Sequence, residues 1–166
     1  MYTDFTGRYH VHESSRSFAD VVAALEAAVG SVENDAFEQE VSEARDPSDF
    51  EERMHRHEGT SGFMRFHTID HGAWLQDLGS SAKARMYTIG NPLIARTMIK
   101  HDLGVGLNVP VRIAVYEERS SGKVRVAYHL PSSLMSALHD KDVSEAAQAL
   151  DAKLIALAEL VSGAKA

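Results

Sequence analysis

Arginine and histidine recur at every second position wherever this chain alternates like a β-strand. In residues 7–12, Arg8, His10 and His12 alternate with Tyr9 and Val11. Further on, Arg65 and His67 stand against Met64 and Phe66, Arg112 and Tyr116 against Val111, Ile113 and Val115, and Arg125 and His129 against Val124, Val126 and Tyr128. Side chains two apart on a strand share a face. If helices cover the other side of such a sheet, one face gathers Arg8, His10, His12, Arg65, His67, Arg112, Tyr116, Arg125 and His129. Guanidinium groups offer planar donors to carboxylates and phosphates, and imidazoles titrate near neutral pH. A face of this kind fits a small anionic or polar ligand. A merely solvated polar face is the ordinary alternative, and a face that pairs with another copy is the third.

Acid–base chemistry has one local candidate set, Asp70 and His71 with His67 nearby. A carboxylate that orients an imidazole makes a general acid or base, here without a metal. Adjacent strand residues point apart, so this set needs a turn at Gly72. His10 and His12 place two imidazoles about 7 Å apart on one strand face. They are weak metal candidates, and His10, His12, His67 or His129 would be the axial ligands of a haem. No His-Glu-x-x-His motif is present, so neither a metal nor a cofactor is expected. Gly104-Val105-Gly106 precedes a strand and lacks a third glycine, which makes it a turn and not a dinucleotide fingerprint. Ser132-Ser133 has no nucleophile-elbow context.

The 166 residues suit a single domain, 1–166, with one core. The absence of cysteine removes disulfides, thiolate metal sites and thiol nucleophiles. The polar start and the lack of any long apolar run point to a cytoplasmic protein that does not enter a membrane. The formal net charge is −7, but residues 33–52 alone hold nine acids and one base. The remainder has 15 acids and 16 bases, so the chain reads as a near-neutral domain with an acidic insertion at about 32–61. The acidic balance argues against nucleic acid, whose phosphates need a basic footprint.

The elements that must position these residues follow from periodicity. Phe18, Val21, Val22, Leu25, Ala28 and Val29 form a helical stripe that Ser14 or Ser15 can cap. Ser48 and Glu51 resemble a capping box for a helix from Asp49 to His57. Asn91 caps a helix with Pro92 at its first position. Ser120-Ser121-Gly122 turns a hairpin, and Ala147, Leu150, Leu154, Leu157 and Val161 mark a long final helix. The expected order is β-α-(insertion)-β-β-α-β-β-α, an α+β fold with helices on one face of an antiparallel sheet.

The run from Arg85 to Pro131 carries Asn91-Pro92, Gly104-Val105-Gly106-Leu107, Pro110 before a strand ending Val115-Tyr116-Glu117, and a Gly-turn hairpin. It resembles the domain-of-unknown-function family 302. The resemblance implies a curved antiparallel sheet of the TATA-box-binding-protein class and a homodimer. It implies no common activity. The acidic segment looks long for that family, and Val111 stands where its strand often begins with cysteine.

Overall fold

The computed structural model describes residues 2–33 and 36–163. Strand β1 (Tyr9–Ser14) leads to helix α1 (Phe18–Ala28) and the two-residue strand β2 (Gly30–Ser31). The acidic segment holds α2 (Phe37–Ser42) and α3 (Pro47–His57), with Asn34 and Asp35 outside the described residues. Then come β3 (Met64–Asp70), α4 (His71–Asp77), β4 (Ala84–Gly90) and α5 (Pro92–Ile99). A short 3₁₀ turn (Leu103–Leu107) precedes β5 (Val111–Glu117) and β6 (Val124–His129). The chain closes with α6 (Pro131–Met135) and the long α7 (Lys141–Ser162).

The caps explain where the helices start and stop. The Ser17 side chain accepts from the Asp20 amide at the start of α1, and Asn91 accepts from Leu93 at the start of α5. Asp46, not Ser48, caps α3, because its carboxylate accepts from Asp49 and Pro47 takes the first turn. Gly163 ends α7 at a φ of 67°, where a side chain would be strained.

The sheet order is β1-β6-β5-β4-β3-β2. All pairs are antiparallel except β2 with β3, so the sheet is mixed rather than wholly antiparallel. Tyr87, Ile89, Ile113, Val115, Val126 and Tyr128 form one face of β4 to β6 and pack with Val21 and Leu25 of α1 and Leu150, Leu154 and Leu157 of α7. Each such buried side chain contributes roughly 1.5–3 kcal/mol. A second, smaller cluster joins Val32, Met54 and Met64, with Phe37, Val41, Phe50, Phe66 and Leu93 against it. It fastens the acidic helices to the end of β3 and to α5.

Two expectations about strand faces need correction. In β1, His10 lies opposite Tyr128 and His12 opposite Val126, so both histidines face the helices. Tyr9 and Val11 take the open side, 54% and 41% exposed. Tyr and Val outrank His in hydropathy, but β1 is an edge strand where a buried hydroxyl offers His12 a partner. In β3 the register shifts between Arg65, opposite Ile89, and His67, opposite Thr88. The extra residue, Phe66, is a bulge that puts Arg65 and His67 on opposite faces although they are two apart.

Candidate functional site

The register assembles the open face in rows. Val11, Ala127, Ala114, Met86 and Ile69 lie side by side across β1, β6, β5, β4 and β3. On one side of them run Tyr9, His129, Arg112, Thr88 and His67, with His129 and Arg112 one register step beyond the Tyr128–Ile113 pair. On the other side run Glu13, Arg125, Tyr116 and Ala84. The Tyr9 and Tyr116 hydroxyls are 3.4 Å apart, which brings rings from β1 and β5 together across β6. This accounts for the near-complete burial of Ala127 on an otherwise open face. Burial and the Tyr116 hydroxyl push the Tyr9 phenol up to about 12. Of the nine residues expected on one face, His67, Arg112, Tyr116, Arg125 and His129 are together there. Arg8 precedes β1, and its amide donates to Ser133.

His10, His12 and Arg65 are on the helix side. His12 Nε2 and the Tyr128 hydroxyl share a 2.9 Å hydrogen bond, and their rings stack. Burial lowers the His12 pKa, opposed by Glu159 of α7. The His10 and His12 ring centroids are 6.4 Å apart. Among the described residues, no group of three or more His, Cys, Asp or Glu is placed to hold a metal ion.

Arg65 belongs to an ionic network between α1 and the β3–β4 pair. One oxygen of Glu26 receives the Tyr87 hydroxyl at 2.8 Å and lies 3.3 Å from Arg85 and 3.4 Å from Arg65. Arg65 Nε sits 2.7 Å from Glu33, and Arg85 Nε donates to Asp70 at 2.8 Å. Burial and the neighbouring Glu26 carboxylate push the Tyr87 phenol well above its ordinary range. Burial works against the Asp70 charge, yet bonds from Arg85 and the Ala73 amide outweigh it and lower the pKa. Asp70 is thereby a helix cap and an arginine partner. His71 turns edge-on to Trp74, and His67 faces the open side. The candidate acid–base set of His67, His71 and Asp70 is not brought together, because residues 67 and 70 stand on opposite faces of β3.

An apolar hollow beside α5 was not anticipated. A cavity of about 570 Å³ lies between α3, α5 and the end of the sheet. Phe50, Phe66, Ile94, Met98, Val109 and Leu150 supply its apolar walls, with Gly90, Asn91, Pro92 and Pro110 at one end. A side chain at Gly90 would come within 2.9 Å of Pro110 Cβ and 3.4 Å of Phe66, so only glycine allows this approach. Asn91 donates to Glu58 at 2.6 Å and to the Gly62 carbonyl at 2.9 Å while capping α5. Arg96, at the mouth, pairs with Glu51 of α3 at 2.6 Å. The available signal was the Gly90-Asn91-Pro92 and Pro110 spacing. Periodicity could not find the cavity, because its walls come from five separate segments.

A mixed six-stranded sheet, with α1 and α7 packed on one face and the other face open, defines this chain as an α+β protein. Its family follows from comparison. The model of the family described as Domain of unknown function DUF302 matches residues 37–161, and the chain belongs to that family. The match begins within the acidic segment, so most of that segment lies inside the family region. The crystal structure of an uncharacterized conserved DUF302 protein from Bacillus stearothermophilus is similar, with a TM-score of 0.64 at 18% identity. The alignment covers 92% of this chain and 97% of that one, a likeness of fold. No curated protein sequence matches the chain. No helix among the described residues is long and apolar enough to cross a membrane.

Proposed function

We propose that this chain is a small-molecule-binding domain whose ligand sits in the cavity beside α5. The supporting observation is a volume of about 570 Å³ walled almost wholly by carbon. Ligand pockets commonly measure about 300–1,000 Å³ and are mostly apolar with a few polar groups. The recess beside Arg112 and His129 on the open face measures about 50 Å³, room for a water but not for a metabolite. The geometry therefore favours the cavity over the arginine–histidine face, and a largely apolar ligand body over a polar one. Asn91, Pro92 and Pro110, three of the residues that carry the family resemblance, line the same cavity.

The test is a filled cavity. N-phenyl-1-naphthylamine, a neutral dye that fluoresces in apolar surroundings, should bind the wild-type protein. Ala95→Trp, which projects an indole from the cavity wall, should weaken that binding at least tenfold, with a melting curve to verify folding. Equal binding by a folded variant would remove the cavity as the site.

A further inference from the structure

Resting on that cavity reading, we infer that the ligand is a small free organic anion, an apolar body with one carboxylate, sulfonate or phosphate head bound by Arg96. Asn91 and Arg96 are the cavity's polar side chains. Both Asn91 amide hydrogens are committed, one to Glu58 and one to the Gly62 carbonyl, and its oxygen holds the Leu93 amide. Arg96 is different. A guanidinium has five N–H donors, and here the Nη2 group meets Glu51.

That ion pair is also the easiest of the polar contacts to exchange. Its two side chains are 51% and 45% exposed. A pair so open to water contributes about 0–1 kcal/mol, so a second anion can compete for the same guanidinium. The competitor would gain what Glu51 does not have, burial of an attached apolar body against Phe50, Ile94, Ile99 and Val109. A neutral ligand would leave Arg96 with Glu51 and gain the apolar contact alone. A planar acid can take two parallel N–H bonds from one guanidinium, which adds orientation as well as attraction. Phe50 and Glu51 are consecutive in α3, so the residue that yields Arg96 to the head group adjoins one that walls the body.

Two dyes with the same rings separate the claims. N-phenyl-1-naphthylamine is neutral, and 1-anilinonaphthalene-8-sulfonate carries one sulfonate. The sulfonate dye should bind about tenfold more tightly, in line with a partly exposed charged hydrogen bond. Arg96→Met should erase that preference and leave the neutral dye unchanged. Glu51→Gln, which frees the guanidinium, should tighten the sulfonate dye several-fold and leave the neutral one alone. If the two dyes bind alike and Arg96→Met alters neither, the anionic head is wrong. The cavity reading then still stands, provided that Ala95→Trp expels both dyes. If Ala95→Trp expels neither, or neither dye binds, both readings fail. Displacement of the sulfonate dye by phosphatidylglycerol vesicles at low micromolar lipid would overturn the free-anion source in favour of a lipid surface.

Discussion

On the helix-covered side of the sheet, Arg65 and Arg85 each meet two carboxylates, Glu26 and Glu33 for the first and Glu26 and Asp70 for the second. On the open side, Arg125 has only Glu13, at 3.8 Å, Arg112 meets no carboxylate among the described residues, and His67 likewise has no side-chain hydrogen bond or ion pair among them. The difference is one of solvent. A guanidinium tucked under a helix loses water and must be repaid by charge, whereas one facing solvent needs no protein partner. Arg65 and Arg85 therefore carry a different meaning from Arg112. Where an arginine is ion-paired with Glu26 it holds α1 onto β3 and β4. Where it is unpaired it contributes little to the fold and is free to meet something else.

The sharpest way to break this contrast is at Glu26, whose one oxygen serves two arginines and a tyrosine. Glu26→Ala should leave Arg65, Arg85 and the fully buried Tyr87 hydroxyl short of an acceptor. Uncompensated buried charge costs about 3–5 kcal/mol, but the Arg65, Arg85 and Glu26 side chains are 19%, 32% and 35% exposed, so a loss of about 2 kcal/mol is expected. Urea unfolding would read it directly, and the melting temperature should fall by on the order of 5 °C. A loss below about 0.5 kcal/mol would mean that the network is surface decoration.

The sequence made this contrast only half visible. Residue types and strand positions were legible, because alternation in β5 and β6 and the hairpin between them are clean. The α+β class and the Asn91-Pro92 helix start were legible for the same reason, since local chemistry decides them. Which way Arg65 points was not legible. At the bulge Phe66 packs against Phe37 and the neighbouring cluster, and no two-residue period contains such a shift. Nor does alternation say which face of β1 is inward, since an edge strand pairing Tyr and Val against two histidines can be laid either way. The cavity was hidden because a void is a property of spacing between elements, not of any one segment.

A smaller effect sharpens the comparison at His12, which sits on the helix side with no charged partner at hydrogen-bond distance among the described residues. Its folded pKa is lowered because burial disfavours the imidazolium, with a further push from His10 against a pull from Glu159. The folded protein thus binds fewer protons than the unfolded chain. Stability on this account is complete above the unfolded value of about 6.5 and is lost as pH falls through the lowered folded value. Chemical unfolding at pH 7.5 and at successive values down to pH 5 should show a decline that His12→Gln reduces, since glutamine can still donate to Tyr128 but cannot take up a proton. If the wild type and the variant decline in parallel, His12 is not the group responsible.

The smallest effect belongs to Arg112, and its smallness is the point. Arg112→Ala removes an exposed side chain with no ion-pair partner among the described residues, so stability should change by less than about 0.5 kcal/mol. Measured at one dilute concentration, that result would confirm the open face as solvated. The same variant should then be unfolded over a hundredfold range of protein concentration. A fold held by a second copy gains stability with concentration, because mass action favours the assembled state. If wild-type stability rises with concentration and Arg112→Ala flattens that rise, the row of Tyr9, His129, Arg112, Thr88 and His67 is covered by another copy, as the family resemblance implies. The contrast between the two faces would then be one of partner, since both would be buried, one by helices of the same chain and the other by a neighbour. If neither protein responds to concentration, the unpaired arginine faces water.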